Sequence, residues 1–142
     1  AGGNLSIVAS LLGTPYELEV RGRILMLEDV GEEPYRVDRM LRQLVLSGKL
    51  GQAAGVALGE MVNCEPKLEA AATPPGRAVP AASELLLGDV ITDYFARLSR
   101  PVLSGLPCGH GRDKWTLPLG CLASIDAYKG RLVLEEAACH PG

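Results

Sequence analysis

The segment that decides the fold is residues 23–60, with the sequence RILMLEDVGEEPYRVDRMLRQLVLSGKLGQAAGVALGE. It opens with a short apolar run, residues 23–28, which lies between Gly22 and an acidic cluster and is typical of a buried strand. A second apolar run, residues 55–60, has the same character. Apolar residues between the two runs recur at helical spacing. The order strand, helix, strand predicts a crossover unit with parallel strands, and therefore an α/β layer.

The helix inside this segment is the best defined element of the sequence. Pro34 suits its first turn and Gly48 is placed to end it. We interpret the acids Asp29, Glu32 and Glu33 as residues that complement the positive end of the helix dipole. Five apolar residues recur at i, i+3, i+4, i+7 and i+8, the spacing that predicts an amphipathic helix: Val37, Met40, Leu41, Leu44 and Val45.

Weaker patterns extend the prediction to both sides of this unit. Upstream, Asn4 is placed to cap a short helix that ends at Gly13. Downstream, we expect a helix over residues 85–98 and strands over residues 101–106 and 115–121. The chain between Glu69 and Ala82 is rich in Ala and Pro, which is typical of an exposed loop.

The C-terminal part predicts antiparallel structure. Residues 122–127 and 131–138 flank Tyr128-Lys129-Gly130, a hairpin turn in which Gly130 takes positive φ. We expect Trp115, the one tryptophan of the chain, to serve as a core or interface anchor.

Composition limits the function classes. The chain has 142 residues, of which 47% are hydrophobic and 22% charged, as expected of one globular domain over residues 1–142. A net charge of −3 provides no basic field, so we expect neither nucleic acid nor an anionic membrane as a partner. No apolar run approaches the roughly 20 residues of a membrane span, and we expect a soluble protein.

Cysteines and histidines give no sign of a metal or a cofactor. The four cysteines form no CxxC pair, so we expect reduced thiols, and two disulfides in an oxidising compartment remain the alternative. His110 and His140 with scattered acids match no recognised ligand spacing. We therefore predict no metal site and no cofactor.

Chemistry-bearing residues occur at the ends of two predicted strands. Glu28 closes the first buried strand, and His110 lies between Gly109 and Gly111 shortly after another strand. A carboxylate and an imidazole can form an acid/base pair in which the carboxylate fixes the ring tautomer. A solvated strand-end carboxylate and an ordinary loop histidine remain the alternatives. No serine lies in a nucleophile elbow, and Cys108 is too near His110 in sequence to be assumed its nucleophile.

A set of short strings occurs in a fixed order along nearly the whole chain: GGNLS (2–6), LLGTPYE (11–17), ILMLEDVGE (24–32), YRVDRML (35–41), GE (59–60) with Cys64, PV (101–102), GLP (105–107) with GH (109–110), and LPLG (117–120). Taken together in this order, they resemble the C-terminal domain of the murein LD-carboxypeptidases. That serine peptidase family also contains the microcin C self-immunity peptidases.

The resemblance implies that the catalytic residues come from two domains. In the family an N-terminal domain supplies the nucleophilic serine, and the C-terminal domain supplies a Glu and a His, which correspond by motif to Glu28 and His110. Glu60 falls where relatives place a residue near the substrate. The resemblance further implies a swivelling β/β/α-type domain, with a mixed sheet, flanking helices and a C-terminal β-hairpin.

The expected function follows from the same resemblance. The whole protein would be a cytoplasmic, homodimeric carboxypeptidase that removes terminal D-alanine from murein tetrapeptides in peptidoglycan recycling. The serine domain is not in this chain, which looks like a C-terminal piece of a longer two-domain peptidase, so we expect the isolated chain to be inactive. The alternatives are an immunity peptidase, against which Glu32 and the string at residues 35–39 argue, and a noncatalytic binding or dimerisation module.

Overall fold

A computed structural model describes residues 1–66 and 85–139 of the chain. The predicted loop from Glu69 to Ala82 and the terminal His140 lie outside the described residues. The framework is a four-stranded sheet in the order β1-β2-β3-β4, in which every neighbouring pair is parallel. Its strands are β1 (Gly2–Asn4), β2 (Ile24–Val30), β3 (Gly55–Val62) and β4 (Val102–Leu103).

One face of the sheet carries the main core. The helices that cover this face are α1 (Leu5–Ser10), α2 (Pro34–Leu46), α3 (Lys49–Gln52) and α4 (Leu87–Phe95). Because strand side chains alternate between faces, Leu25 and Leu27 of β2 point into this core and Ile24 and Met26 point the other way. The core side chains from α2 are fully buried: Val37, Leu41 and Leu44.

The second face is covered by the C-terminal part of the chain. A separate antiparallel hairpin, β5 (Ala123–Asp126) and β6 (Arg131–Leu134), packs Ile125 and Leu132 against this face. The turn ends at Gly130 with φ of 63°, as the sequence predicts. None of the helices in residues 1–66 and 85–139 combines the length and the apolar character needed to cross a membrane.

The predicted α/β class is confirmed, with the one correction that the four-stranded sheet is parallel rather than mixed, because the antiparallel strands β5 and β6 form a sheet of their own. The described structure combines a parallel sheet, flanking helices and a C-terminal antiparallel hairpin. The crossover is β2, α2, β3, as the sequence predicts. The Asn4 side chain accepts a hydrogen bond from the Ile7 amide, which confirms the predicted cap of α1. Gly48 after α2 has φ of 75°, where glycine is favoured.

The structure corrects several local predictions. Residues 115–121 form no strand, because no other strand in the described part of the chain lies beside them to pair with. Leu117 instead packs its side chain on the second face of the sheet. Trp115 is 62% exposed and is therefore not a core residue. The strand expected over residues 101–106 is reduced to β4, whose last pairing is that of Leu103 with Ala57, and Gly105 beyond it turns the chain with φ of 78°.

Two elements have no clear signal in the sequence. The short helix α3 is one of them. The other is β1, whose Gly2-Gly3 start has low strand propensity. Glycine is required at residue 2 because a Cβ there would overlap the Met26 backbone of β2. Close approach of two backbones, rather than propensity, therefore explains this strand.

Candidate functional site

Glu28 lies where the ladder between β2 and β3 is interrupted. Leu27 pairs with Leu58 and Asp29 pairs with Met61, so two residues of β3, Gly59 and Glu60, face the single residue Glu28. This arrangement is a β-bulge, which re-aims the side chains beside it. Glu28 projects to the face opposite the helical core, and its carboxylate is buried, with the side chain 7% exposed.

The loop that carries His110 is fastened to the same bulge. The Leu106 amide donates to the Leu58 carbonyl at 3.1 Å, and the Glu60 amide donates to the Cys108 carbonyl at 3.0 Å. Gly59 permits this contact, because a Cβ on residue 59 would lie 2.5 Å from the Cys108 carbonyl oxygen. The bulge and the loop after β4 therefore form one packed unit.

The fold brings Glu28 and His110 together across 82 residues of sequence. His110 Nδ1 lies 2.8 Å from Glu28 Oε2. An ionised carboxylate can only accept hydrogen bonds, so Nδ1 carries the proton and donates it. The second ring nitrogen, Nε2, is then the atom able to take up a proton. The imidazole is half exposed, in contrast to the buried carboxylate behind it.

Glycines on both sides of His110 make room for carboxylates. Gly109 has φ of 114°, and a Cβ on it would lie 2.7 Å from Glu28 Oε2. A Cβ on Gly111 would overlap the carboxylate of Glu60. These two glycines are part of the sequence signal at His110, and the structure gives the reason that both are needed.

Glu60, the third residue selected from the sequence, lies beside the same loop. Its Oε2 is buried and has no hydrogen-bond partner among the described residues. A buried acceptor without a partner costs free energy, on the order of 1–3 kcal/mol. Glu60 therefore offers an unused acceptor against Gly111, the residue that follows His110.

Cys108 differs from a nucleophile in its surroundings. The side chain is 2% exposed. Burial raises the pKa of its thiol, and the nearby negative charges of Glu28 and Glu60 raise it further. A thiol of this kind stays protonated near neutral pH, whereas a nucleophilic cysteine needs a lowered pKa.

The structure also gives Asp29 a place that differs from the one expected. Asp29 is not a first-turn acid of α2; it lies inside β2 and is 2% exposed. Its carboxylate bonds residues at the start of α1 instead. The string GGNLS contains these partners, but only the parallel pairing of β1 with β2 places them beside Asp29.

Within the described ranges, no three His, Cys, Asp or Glu side chains form a group able to hold a metal ion.

Comparison with known proteins agrees with this architecture. The family model described as the LD-carboxypeptidase C-terminal domain matches residues 1–125. The chain is 39% identical over 134 residues to a probable murein peptide carboxypeptidase of Bacillus subtilis, covering 94% of this chain and 38% of that protein. It is 34% identical over 131 residues to the murein tetrapeptide carboxypeptidase of Pseudomonas aeruginosa, covering 92% of this chain and 38% of that protein.

Solved structures give the same grouping. The muramoyltetrapeptide carboxypeptidase from Oxalobacter formigenes matches with a TM-score of 0.68 and 34% identity, over 96% of this chain and 41% of that one. The microcin C7 self immunity protein MccF, in complex with aspartyl sulfamoyl adenosine, matches with a TM-score of 0.75 and 25% identity, over 99% of this chain and 38% of that one. The chain thus spans about two fifths of these relatives. It belongs to the LD-carboxypeptidase family and corresponds to the C-terminal domain of that family.

Proposed function

We propose that this chain supplies the base and the orienting acid of a Ser-His-Glu triad in a serine carboxypeptidase that removes terminal D-alanine from murein tetrapeptides. The observation that carries the proposal is the 2.8 Å contact between His110 Nδ1 and Glu28 Oε2. In serine hydrolases a buried carboxylate on Nδ1 fixes the tautomer in which Nε2 is basic, and it stabilises the imidazolium that forms during the reaction.

The proposed chemistry assigns one proton path to His110. Nε2 takes the hydroxyl proton of a serine as that oxygen attacks the amide carbonyl between the diamino acid and D-alanine. The same proton passes to the leaving amine when the tetrahedral intermediate collapses, so D-alanine departs and an acyl-enzyme remains. A water molecule then repeats the cycle to release the tripeptide. Glu28 stays ionised throughout and holds the ring in place.

The serine would come from the N-terminal domain that the resemblance implies. Among the described residues, no serine hydroxyl bonds to His110; Ser6, for example, donates to Asp29. The half-exposed imidazole is consistent with a hydroxyl arriving from another part of the protein. We therefore expect the 142-residue chain alone not to hydrolyse the substrate.

Glu60 would take part in substrate binding. Its unpartnered, buried Oε2 can accept a hydrogen bond from a donor on the peptide, which would satisfy the acceptor and favour the bound state. The same proposal extends to a homodimer in the cytoplasm that acts in peptidoglycan recycling.

The test uses the full-length protein that contains this chain, with D-alanine release from a murein tetrapeptide as the assay. We expect His110→Ala and Glu28→Gln each to lower kcat by several orders of magnitude, because residues of a triad act as a unit. Glu136→Gln is a matched control for the carboxylate change, since Glu136 is exposed and bonds the Leu122 amide of the hairpin. Near-wild-type rates for both site variants would favour the noncatalytic module.

A second substrate class has a specific observation in its favour. The chain matches MccF in complex with aspartyl sulfamoyl adenosine at a TM-score of 0.75. The assay therefore includes an aminoacyl sulfamoyl adenosine as a second substrate. Preference for the tetrapeptide in kcat/KM supports the murein activity, and the reverse preference supports an immunity peptidase.

A further inference from the structure

The carboxylate of Asp29 is held by four hydrogen-bond donors. Oδ1 accepts from Asn4 Nδ2 at 2.9 Å and from the Val30 amide at 2.8 Å. Oδ2 accepts from the Ser6 amide at 2.9 Å and from Ser6 Oγ at 2.7 Å. Because the side chain is buried and both oxygens have two donors, rotation of the carboxylate would leave several donors unpaired.

These bonds act at the point where the sheet gives Glu28 least support. Glu28 has no paired residue in β3, since the register moves from Leu27 directly to Asp29. On its other side Glu28 pairs with Asn4 of β1. Asn4 in turn donates to Asp29, so the strand around Glu28 is held by β1 and Asp29 where the β3 ladder is missing.

Alternation along the strand connects Asp29 to the direction of Glu28. Successive side chains of a strand point to opposite faces. Asp29 is bound on the helical face, through Ser6 of α1, so Glu28 points to the opposite face, where His110 lies. We propose that Asp29 is a positioning residue that holds β2 so that the Glu28 carboxylate reaches His110. The catalytic part of this inference rests on the function proposed above.

The chemistry of the four partners explains why residue 29 is an acid. All four are donors, and an ionised carboxylate is the side chain that offers acceptors on both of its terminal atoms. Asparagine has the same shape but turns one of these atoms into an NH₂ group. Asp29→Asn therefore sets donor against donor without changing the volume of the side chain.

The experiment compares Asp29→Asn with Asp38→Asn in the full-length protein. Asp38 on α2 is a suitable control, because it also uses a carboxylate oxygen in a tertiary bond, from the Tyr94 hydroxyl at 2.8 Å. Three quantities are measured: Tm, kcat and KM on the murein tetrapeptide, and the downfield proton resonance of His110 Nδ1–H, assigned with His110→Ala.

We expect Asp29→Asn to lower Tm, whereas Asp38→Asn keeps an acceptor oxygen for the Tyr94 hydroxyl and should change Tm little. Only Asp29→Asn should lower kcat, by about 10- to 100-fold, since a misplacement of roughly 1 Å in a catalytic pair has this order of effect. KM should stay within about twofold of wild type, and the His110 resonance should shift or disappear. A variant with lowered Tm but wild-type kcat and resonance would show that Asp29 is structural only, and would overturn the inference.

Two outcomes, an unfolded Asp29→Asn variant and an inactive wild-type protein, need a further measurement. If Asp29→Asn does not fold, Ser6→Ala removes one of the four bonds and should produce a smaller change of the same kind in kcat and in the resonance. An unchanged kcat and resonance in Ser6→Ala would then overturn the inference. If the wild-type protein does not cleave the tetrapeptide, the proposed function fails, while the His110 resonance still reports whether Asp29 positions Glu28.

Discussion

The Gly109 backbone passes so close to the Glu28 carboxylate that a Cβ on residue 109 would lie 2.7 Å from Glu28 Oε2. This approach is possible because glycine has no side chain and because φ at Gly109 is 114°, a value that other residues rarely adopt. The same close packing lets the next residue, His110, present Nδ1 to Glu28.

Replacement of this glycine should separate the acid from the base. We expect Gly109→Ala to lower kcat of the full-length protein by tenfold or more, since even a misplacement of about 1 Å is costly. Backbone strain should also lower the free energy of unfolding by about 1–3 kcal/mol. Gly88→Ala is the control, because a Cβ at residue 88 in α4 meets open space. Steady-state kinetics and denaturant unfolding measure both effects; an unimpaired Gly109→Ala enzyme would contradict the packing described here.

The cysteines should divide into two classes of reactivity. Cys64 and Cys108 are buried, and burial raises the pKa of each thiol. Cys121 is half-buried and Cys139 is exposed. Because the thiolate is the reactive form, iodoacetamide near pH 8 should modify Cys139 first, Cys121 next, and the buried pair only slowly.

Mass spectrometry of tryptic peptides after timed alkylation checks this order. The same reaction in denaturant serves as the control, where all the cysteines should react at similar rates. Rapid alkylation of Cys108 in the native protein would contradict both its burial and the conclusion that it is no nucleophile.

Glu17 should contribute to stability near neutral pH, and this contribution should be lost in acid. The Lys49 ammonium donates to its carboxylate, as does the Gly13 amide, and these bonds lower the pKa of Glu17 from its ordinary 4.5. A lowered pKa in the folded state contributes stability above the unfolded pKa, and this contribution is lost as pH falls through the folded value. Wild type should therefore have a higher Tm than Glu17→Gln near neutral pH, with a difference that shrinks below pH 4.5.

Thermal unfolding across pH measures the Glu17 effect. Asp93→Asn provides the comparison, since the ion pair of Asp93 with Arg97 is exposed and 4.0 Å long. Exposed pairs contribute little, so this variant should follow the wild type at every pH. A Tm difference for Glu17→Gln that persists unchanged below the folded pKa would show that the difference does not come from the ionised carboxylate of Glu17.

Much of the fold follows from local patterns. The apolar period of α2, the two buried runs around it and the cap at Asn4 are properties of neighbouring residues, and the structure contains each of them. Elements that depend on a partner at long range leave no such local pattern. Residues 115–121 have a strand-like composition but no strand beside them, and β1 exists because Gly2 can approach Met26 closely.

The sequence by itself determined the α/β class, the crossover helix and, through short strings shared with the LD-carboxypeptidases, the choice of Glu28, His110 and Glu60 as candidates. Only the tertiary structure decided how these residues meet. The bulge in β3 leaves Gly59 and Glu60 opposite Glu28, and the loop after β4 brings His110 to the Glu28 carboxylate. The tertiary structure also places Asp29 against α1 rather than at the start of α2. The physical reason is that spacing along the chain sets which face a side chain occupies, whereas hydrogen bonds and steric fit between distant segments set which side chains touch.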